Sequence, residues 1–310
     1  MTHFISHVAG SLSGRAIALM SSLILLFILV SPVRMVADDT SNDTAPKDTA
    51  AKDTAVKDTP PKDASVKEEI KWTLLFDGKT LDDWSVPQWE EDKKVEIVGS
   101  SDSDSADKAD KTGAYIVVGG NDLASGIKYN KPFPKSNYEI LYQAKRVKGY
   151  DFFGTITFPV KESHCSFVTG GWSGSVIGLS SINGYDASEN ETTGFYAFKD
   201  KQWYQIRVCV TDDCIRVWLW PVDDDGNPDI KKDTGSPSAA SSKAEAALQL
   251  EIEQPKVDLT LADDKRISTR LEVTPFRPLG ISTWNTVGHL RDIKFRELSP
   301  QEVERIKLDL

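Results

Sequence analysis

The 310-residue chain is poor in the residues that build metal centres and disulfide scaffolds. It holds three cysteines and four histidines, and no Cys-x-x-Cys pair, so neither a disulfide framework nor a structural zinc site is expected. Positive charge is also scarce. The net charge of −10 argues against a nucleic-acid binder, which needs a clustered basic face. We therefore expect no nucleic-acid partner and no required cofactor, with a divalent metal left open.

A long membrane-spanning segment is missing as well. Arg15 precedes a 15-residue apolar run at 16–30, and Val36-Ala37 stand before the acidic turn at Asp38. A spanning helix needs about 20 apolar residues, whereas this order is typical of a secretory signal. Residues 1–37 are predicted to be a signal peptide or an uncleaved anchor. The protein is accordingly expected to be exported: periplasmic, secreted, or tethered to the outer face of the membrane through this segment alone.

Residues 38–68 have almost no apolar bulk. Within them, residues 43–67 repeat every five residues as DTAPK, DTAAK, DTAVK, DTPPK and DASVK, a period that matches neither a helix nor a strand face. The composition predicts a disordered, charge-alternating linker.

Residues 69–298 carry the alternation of apolar and polar residues that is typical of β-strands. Strands rich in aromatic and β-branched residues are expected at 138–144, 152–158, 175–180, 203–210, 215–220, 279–284 and 290–295. Gly, Asp, Asn and Pro clusters separate them, which predicts an all-β sandwich. Two low-complexity stretches, 99–111 and 221–255, are expected to be loosely ordered insertions. Residues 299–310 begin with a capping box, Ser299-Pro300-Gln301-Glu302, and are predicted to form a short helix.

One hairpin, 203–220, has an unusual second face. Tyr204, Ile206 and Val208 would form its apolar side, while the other side carries Trp203, Gln205, Arg207, Trp218 and Trp220. Tryptophan beside arginine and glutamine suits a sugar, whose C–H face stacks on indole while its hydroxyls accept forked hydrogen bonds. The alternative is that a loop or the C-terminal helix covers this face, with Arg and Trp stacked on each other.

The stretch Leu75 to Leu81, LFDGKTL, followed by Trp84, resembles the opening of the 3-keto-disaccharide hydrolase family. The segments 266–270, 277–282 and 290–296 are similar to the family's closing strands. The resemblance spans about residues 72–298. It implies a two-sheet concanavalin A-like jelly roll, here with a short C-terminal helix, and a carbohydrate partner, either an oxidised glycoside or a glycan.

The resemblance also implies a chemistry. A 3-keto group makes the C2 proton acidic, a base removes that proton, the C1 oxygen leaves, and water adds to the enone. Such a site needs a base and an enolate stabiliser, and an acid only where the leaving group requires one. A lyase or hydrolase is one hypothesis. A non-catalytic lectin-like module and a surface interaction protein are the alternatives.

The catalytic candidates are one histidine and one acidic cluster. His164 titrates nearest neutrality, although a lone histidine is more often structural. Asp186, Glu189 and Glu191 form the densest acidic cluster outside the insertions; an extended chain would place the two glutamates about 6–7 Å apart on one face. The alternative is a solvated acidic loop. Arg207 is the candidate enolate stabiliser.

Several other residues have open roles. Trp172, in the glycine-rich stretch 169–174, is expected on a loop at a cleft. Trp284, expected on a strand beside the arginine and tryptophan face, is either a second sugar platform or a core residue. The loop 223–229 resembles a calcium loop with its glycine misplaced, so an acidic turn is the favoured interpretation. Cys209 and Cys214 flank the hairpin, and whether they form a disulfide depends on its register.

Overall fold

The described part of the chain folds into two antiparallel β-sheets packed face to face. The computed structural model describes residues 70–87, 95–99, 113–119, 124–229 and 239–310. The predictions for 1–37, for 38–68 and for nearly all of 99–111 lie outside these ranges. Among the described helices, none has both the length and the apolar character to cross a bilayer.

The first sheet has eight strands. Its order is β13-β12-β11-β6-β15-β4-β3, with β1 paired to β15. Its strands are β1 (Thr73–Leu74), β3 (Glu96–Val98), β4 (Tyr115–Gly119), β6 (Tyr138–Gly149), β11 (Trp203–Val210), β12 (Cys214–Val222), β13 (Val257–Thr260) and β15 (Thr286–Glu297).

The second sheet has seven strands in the order β10-β9-β8-β7-β14-β5-β2. Its strands are β2 (Trp84–Ser85), β5 (Ser125–Tyr129), β7 (Thr155–Val160), β8 (Ser163–Gly170), β9 (Val176–Ser180), β10 (Gly194–Phe195) and β14 (Gly280–Thr283). Every strand pairing is antiparallel in both sheets of the described residues. The predicted all-β jelly-roll sandwich is confirmed.

The core lies between the sheets and follows the period of two along each strand. Tyr142, Ile206 and Leu219 from the first sheet meet Ile156 and Phe167 from the second, and all five are fully buried. The apolar face predicted for the 203–220 hairpin belongs to this core.

The outward face of the second sheet is built from small side chains. Thr157 and Ser282 on this face are fully buried, because the 3-10 helix Leu271–Phe276 packs over β5 and β14. The close approach requires glycine in β14: a Cβ at Gly280 would meet the carbonyl oxygen of Phe276 at 2.6 Å. The segment that crosses this face therefore lies directly on the sheet.

The stretch 221–255 is more regular than its composition predicted. β12 continues to Val222, and helix α2 runs from Ala239 to Glu253 and packs on β12. The Trp218 indole N–H donates to the carbonyl oxygen of Glu253 at 3.2 Å. Ala, Leu, Glu and Gln favour helix, and Leu248 is buried, so the expectation of a loosely ordered insertion was wrong for α2.

The C-terminal helix is confirmed as α3, Pro300–Leu308. Ser299 caps it: its hydroxyl accepts from the Glu302 N–H, and the Glu302 carboxylate accepts from the Ser299 N–H. Glu302 also pairs with Arg296 of β15 at 2.7 Å, which ties the helix to the first sheet.

Candidate functional site

A cavity of about 210 Å³ opens on the outward face of the second sheet. Its wall combines hydroxyl, carboxylate, guanidinium and indole groups in one place. The lining residues are Asp151, Phe152, Thr155, Ser166, Val168, Trp172, Ser180, Arg270, Glu272, Val273 and Trp284. Thr155, Ser166 and Ser180 come from three neighbouring strands, β7, β8 and β9, and form a floor of small polar side chains.

Trp172 reaches the cavity from the four-residue turn α1, Gly171–Gly174. The turn has left-handed backbone, with φ of 76° at Gly170, 46° at Trp172, 70° at Ser173 and 99° at Gly174. This region costs a non-glycine residue about 1–2 kcal/mol, and such a cost persists where the surroundings fix it. The prediction that Trp172 is presented on a loop at a cleft agrees with this placement.

Asp151 fixes that turn. Its carboxylate accepts the Phe152 backbone N–H at 2.8 Å and is also hydrogen-bonded by the N–H groups of Trp172 and Ser173. Burial raises the pKa of the Asp151 carboxyl, and the three N–H donors oppose the rise without cancelling it. A carboxylate with a raised pKa on a cavity wall is suited to accept a proton.

Arg270 is the centre of a charged cluster on the cavity wall. Its guanidinium donates to both oxygens of Glu272, at 2.9 and 3.3 Å, and to Asp186. It also lies 5.7 Å from the Trp172 ring centroid. The hydrogen bonds from Arg270 hold the pKa of Glu272 below its ordinary value. Arginine has five N–H donors, so two remain beyond these three contacts for a ligand.

The acidic cluster is divided by the fold. The Glu189 N–H donates to the Asp186 carbonyl at 2.9 Å, so this stretch turns, and the assumed extended spacing of Glu189 and Glu191 does not occur. Asp186 reaches the cavity through Arg270, Glu189 is exposed, and Glu191 pairs with Lys265. Only Asp186 belongs to the cavity cluster, because the turn directs the glutamates outward.

His164 lies on β8 two residues before Ser166, so the two share a face about 7 Å apart. It is not among the residues that line the cavity. Burial lowers the pKa of His164, and Arg277 and Lys135 lower it further. Its imidazole is therefore neutral near pH 7, at the edge of the site.

The outward face of the first sheet is covered by a loop, as the alternative interpretation of the hairpin expected, and it is not the open sugar platform of the first interpretation. Trp203 is 1% exposed, and the centroid of its ring is 4.1 Å from the Arg291 guanidinium and 4.4 Å from the Lys145 ammonium. Arg291 donates to the carbonyls of Asp223 and Asp224, so the loop 223–229 closes over this face.

The other members of the predicted platform are engaged there too. Gln205 is buried and bonded to Gln143 at 3.0 Å. Arg207 stacks on Trp218 at 4.5 Å and donates to the buried Glu139 carboxylate at 2.9 Å. Arg207 is therefore placed on the sheet opposite the cavity and cannot stabilise charge that develops there.

We expected the strand of Trp284 to lie in the first sheet, but β14 belongs to the second sheet. It follows β14 and contacts Phe152 with ring centroids 6.4 Å apart, on the cavity wall beside neither Trp203 nor Trp218. The misplacement came from assigning β14 to the first sheet. Trp284 is partly buried and lines the cavity, packed beside the cluster of Val273 and Phe276.

The three cysteines and the 223–229 loop contribute to the fold. All three cysteines are buried thiols. Cys209 pairs with Arg216 in the hairpin register, while Cys214 closes the turn to Thr211. The 223–229 loop is an acidic turn with Asp223 accepting the Asn227 N–H at 2.8 Å. Within the described ranges, no three His, Cys, Asp or Glu side chains are grouped as metal ligands.

Asp151, Arg270 and Glu272 were missed as site residues. Asp151 directly precedes a predicted strand, and Arg270 ends a stretch that resembles the family, so each position carried a weak signal. Glu272 sits in a 3-10 segment without period. The cluster joins residues 84 positions apart, Asp186 and Arg270, which spacing in the sequence cannot indicate.

A family model for the 3-keto-alpha-glucoside-1,2-lyase-like domain matches residues 71–257. The chain belongs to this family. The matched region holds Asp151 and Trp172, whereas Arg270, Glu272 and Trp284 lie beyond its end. No curated protein matches the chain.

Solved structures similar to the chain share little sequence with it. The carbohydrate-binding module CBM66 from Bacillus subtilis is 8% identical, with 69% of this chain and 96% of that chain covered and a TM-score of 0.33. Domain 4 of the arabinanase AbnA from Geobacillus stearothermophilus is 13% identical (72% and 87% covered, TM-score 0.38). A putative glycosyl hydrolase from Parabacteroides distasonis is 12% identical (74% and 94%, TM-score 0.37).

Proposed function

We propose that the cavity binds one ring of a 3-keto-glycoside and eliminates the substituent at C1. Family membership supports a carbohydrate-active protein. The observation that carries the finer proposal is a half-buried carboxylate, Asp151, in the same cavity wall as the Arg270 guanidinium and the Trp172 and Trp284 rings. The wall of one cavity thus combines a base, a cation that can stabilise enolate charge, and indoles that can stack on a sugar ring.

Asp151 is the proposed base. Its raised pKa brings it closer to the pKa values at which a general base works best near neutrality. Three backbone N–H groups occupy part of its four lone-pair sites, so one remains for the C2 proton. Glu272 is a poorer base because Arg270 holds its pKa down.

Arg270 is the proposed enolate stabiliser. Removal of the C2 proton leaves negative charge on the C3 oxygen, and the two remaining N–H donors of Arg270 are available for it. The negative charge then passes from the C3 oxygen to the leaving oxygen: the C3 carbonyl re-forms, a C1–C2 double bond forms, and the C1–O bond breaks. Water adds at C1 and a proton returns to C2, which gives a 3-keto-sugar.

A non-catalytic sugar-binding module is the second candidate. Asp186 and Glu272 both pair with Arg270 and balance its positive charge. A neutralised guanidinium favours sugar binding over stabilisation of an enolate. In that case the cavity would bind glycans through Trp172 and Trp284 without turnover.

The discriminating experiment incubates the full chain with 3-keto-disaccharides in heavy water, with and without divalent metal, and follows products by NMR. Elimination and hydration predict deuterium at C2 of the released 3-keto-sugar; the same sugar kept without protein controls for spontaneous exchange. Cleavage without deuterium contradicts the elimination. Sugar binding without turnover supports the module.

Export is part of the proposal. The apolar run at 16–30 and the repeat linker at 38–68 support a signal or anchor followed by a tether. Sequencing the N-terminus of the expressed protein tests this: a new terminus near residue 38 supports cleavage, and an intact, membrane-free Met1 form contradicts export.

A further inference from the structure

The loop that carries Asp186 is folded around one side chain, that of Asn190. The Asn190 amide nitrogen donates to three backbone carbonyl oxygens, those of Leu179 at 2.8 Å, Tyr185 at 3.1 Å and Asp186 at 2.7 Å. Its Oδ1 atom accepts from the N–H and the hydroxyl of Thr192, at 2.9 and 2.6 Å. Asn190 therefore connects the start of this loop to its end.

Asn190 also fastens this loop, residues 185–192, to the edge of the second sheet. Leu179 lies in β9, next to Ser180 of the cavity floor. Its carbonyl oxygen accepts from Asn190, and its N–H donates to the Thr192 hydroxyl at 2.8 Å. Two side chains thus satisfy the edge of β9 here, in place of a strand partner. The position of the loop is therefore fixed relative to the cavity floor.

The loop in turn fixes the Asp186 carboxylate. One carboxylate oxygen accepts from the hydroxyls of Ser180 and Ser181, at 3.3 and 3.2 Å, and the other accepts from Arg270. Ser181 exchanges backbone hydrogen bonds with Ser268, two residues before Arg270, at 2.6 and 3.1 Å. The carboxylate and the guanidinium therefore come from two segments whose backbones are joined.

Two carboxylates hold the Arg270 guanidinium along different edges. Glu272 accepts from Nε and Nη2, at 3.3 and 2.9 Å, and Asp186 accepts from Nη1. Glu272 is only two residues away in the chain, so these two side chains can swing together. Asp186 is 84 positions away, and its contact ties the planar guanidinium to the second sheet. One N–H on each terminal nitrogen then keeps a fixed direction.

We propose that Asn190 is a positioning residue for Arg270. It does not line the cavity and acts through Asp186: it holds the loop 185–192 in place, and the Asp186 carboxylate then aims the remaining N–H bonds of Arg270 at the ligand. This inference rests on the proposed function, in which those bonds stabilise the enolate, and it adds the residue that orients them.

The test compares two substitutions at neighbouring positions of the loop. Asn190→Ala removes the amide. Glu191→Gln is the matched control, because Glu191 pairs with Lys265 and contacts neither Asp186 nor Arg270. Asn190→Asp has the same size but lacks the N–H donors, so it takes the place of Asn190→Ala if that variant does not fold. Every variant is made in the full chain.

The orientation of Arg270 is measured without turnover. NMR of the ¹⁵N-labelled full chain detects the Arg270 Nε–H resonance, which is assigned by its loss in Arg270→Lys. We expect this resonance to move by more than its linewidth in Asn190→Ala and in Asp186→Ala, and to keep its frequency in Glu191→Gln. An Arg270 resonance that does not move in Asn190→Ala would overturn the inference.

Turnover of a 3-keto-glycoside measures the consequence for catalysis. We expect Asn190→Ala to lower kcat by roughly tenfold to a hundredfold, less than the 10²–10³ that follows loss of a charge-stabilising donor, because the donors remain but lose their direction. Affinity for an unoxidised glucoside should change by less than about threefold, since the enolate charge exists only during the reaction. A general structural defect would weaken affinity as well.

A double-mutant cycle tests whether Asn190 acts through Asp186. Asp186→Ala removes the carboxylate and keeps the backbone carbonyl to which Asn190 donates. The double variant should then have a kcat within about twofold of the slower single variant. Losses that multiply would mean that Asn190 acts elsewhere, and would contradict the inference.

The two proposals fail in different ways. If the unmodified protein cleaves no 3-keto-glycoside, the elimination falls, while an Arg270 resonance displaced in Asn190→Ala still supports the positioning role. If turnover occurs and Asn190→Ala leaves kcat unchanged, the elimination stands and the positioning role falls.

Discussion

The outward faces of the two sheets differ in what covers them. On the first sheet, Trp203 contacts the cationic groups of Arg291 and Lys145, and the 223–229 loop and helix α2 pack over the large side chains. On the second sheet, Thr155, Ser166 and Ser180 leave a cavity between the strands and the 3-10 segment. The face with the composition expected of a sugar site is filled, and the face of small residues is open.

Composition alone therefore does not distinguish a sugar platform from a packed layer. Tryptophan beside arginine can bind a sugar, but the two side chains can equally bind each other through a cation–π contact. A cavity instead requires side chains that are small enough to leave space.

Asp151→Asn should lower kcat for a 3-keto-glycoside by about 10²–10⁴-fold, the usual contribution of a general base. Affinity for an unoxidised glucoside, measured by titration, should stay within a few-fold. Asp223→Asn, on the covered face, is the control and should leave kcat unchanged. Equal rates for Asp151→Asn and the unmodified protein would remove Asp151 as the base.

Glu139→Ala should destabilise the first sheet. The buried Glu139 carboxylate accepts from Arg207 and Arg296, and removing one partner of a buried pair costs about 3–5 kcal/mol. Urea unfolding measures the loss, and glucoside affinity below the unfolding transition should not change. A specific loss of sugar affinity with stability intact would mean that the covered face binds the ligand.

The rate should depend on pH through Asp151. Because burial raises its pKa, kcat/KM should fall about tenfold per pH unit below an apparent pKa that is higher than the ordinary aspartate value of 3.8. Stability has the opposite sign: a raised folded-state pKa stabilises the protein below the unfolded pKa, and this contribution is lost as pH rises through the folded pKa. Asp151→Asn should abolish both dependences, as rate profiles and urea unfolding across pH would show.

Trp172→Gly should weaken glucoside binding about tenfold, since a stacked indole contributes roughly 1–2 kcal/mol. Glycine accepts the φ of 46° at this position, so the backbone turn is retained. Trp218→Ala on the opposite sheet should leave affinity unchanged. Titration of both variants checks this, and a larger loss in Trp218→Ala would reverse the assignment of the faces.

The sequence predicted what local periodicity determines. Alternation placed Ile206 and Leu219 in the core, and the capping box placed α3 at Pro300. The site was less predictable because Asp151, Asp186 and Arg270 meet only through the packing of distant segments. Helix α2 was missed because alanine and serine signal low complexity as readily as helix. The strand of Trp284 was assigned to the wrong sheet because pairing order cannot be derived from alternation.

The most direct test of the central claim uses fluorine NMR on the full chain labelled with 5-fluorotryptophan. The eight tryptophans would be assigned by single Trp→Phe replacements, and a non-cleavable glucoside would be added stepwise. We expect the Trp172 and Trp284 resonances to shift until the glucoside saturates the site, while those of Trp203 and Trp218 keep their frequencies. Shifts confined to Trp203 and Trp218 would contradict it and return the site to the first sheet.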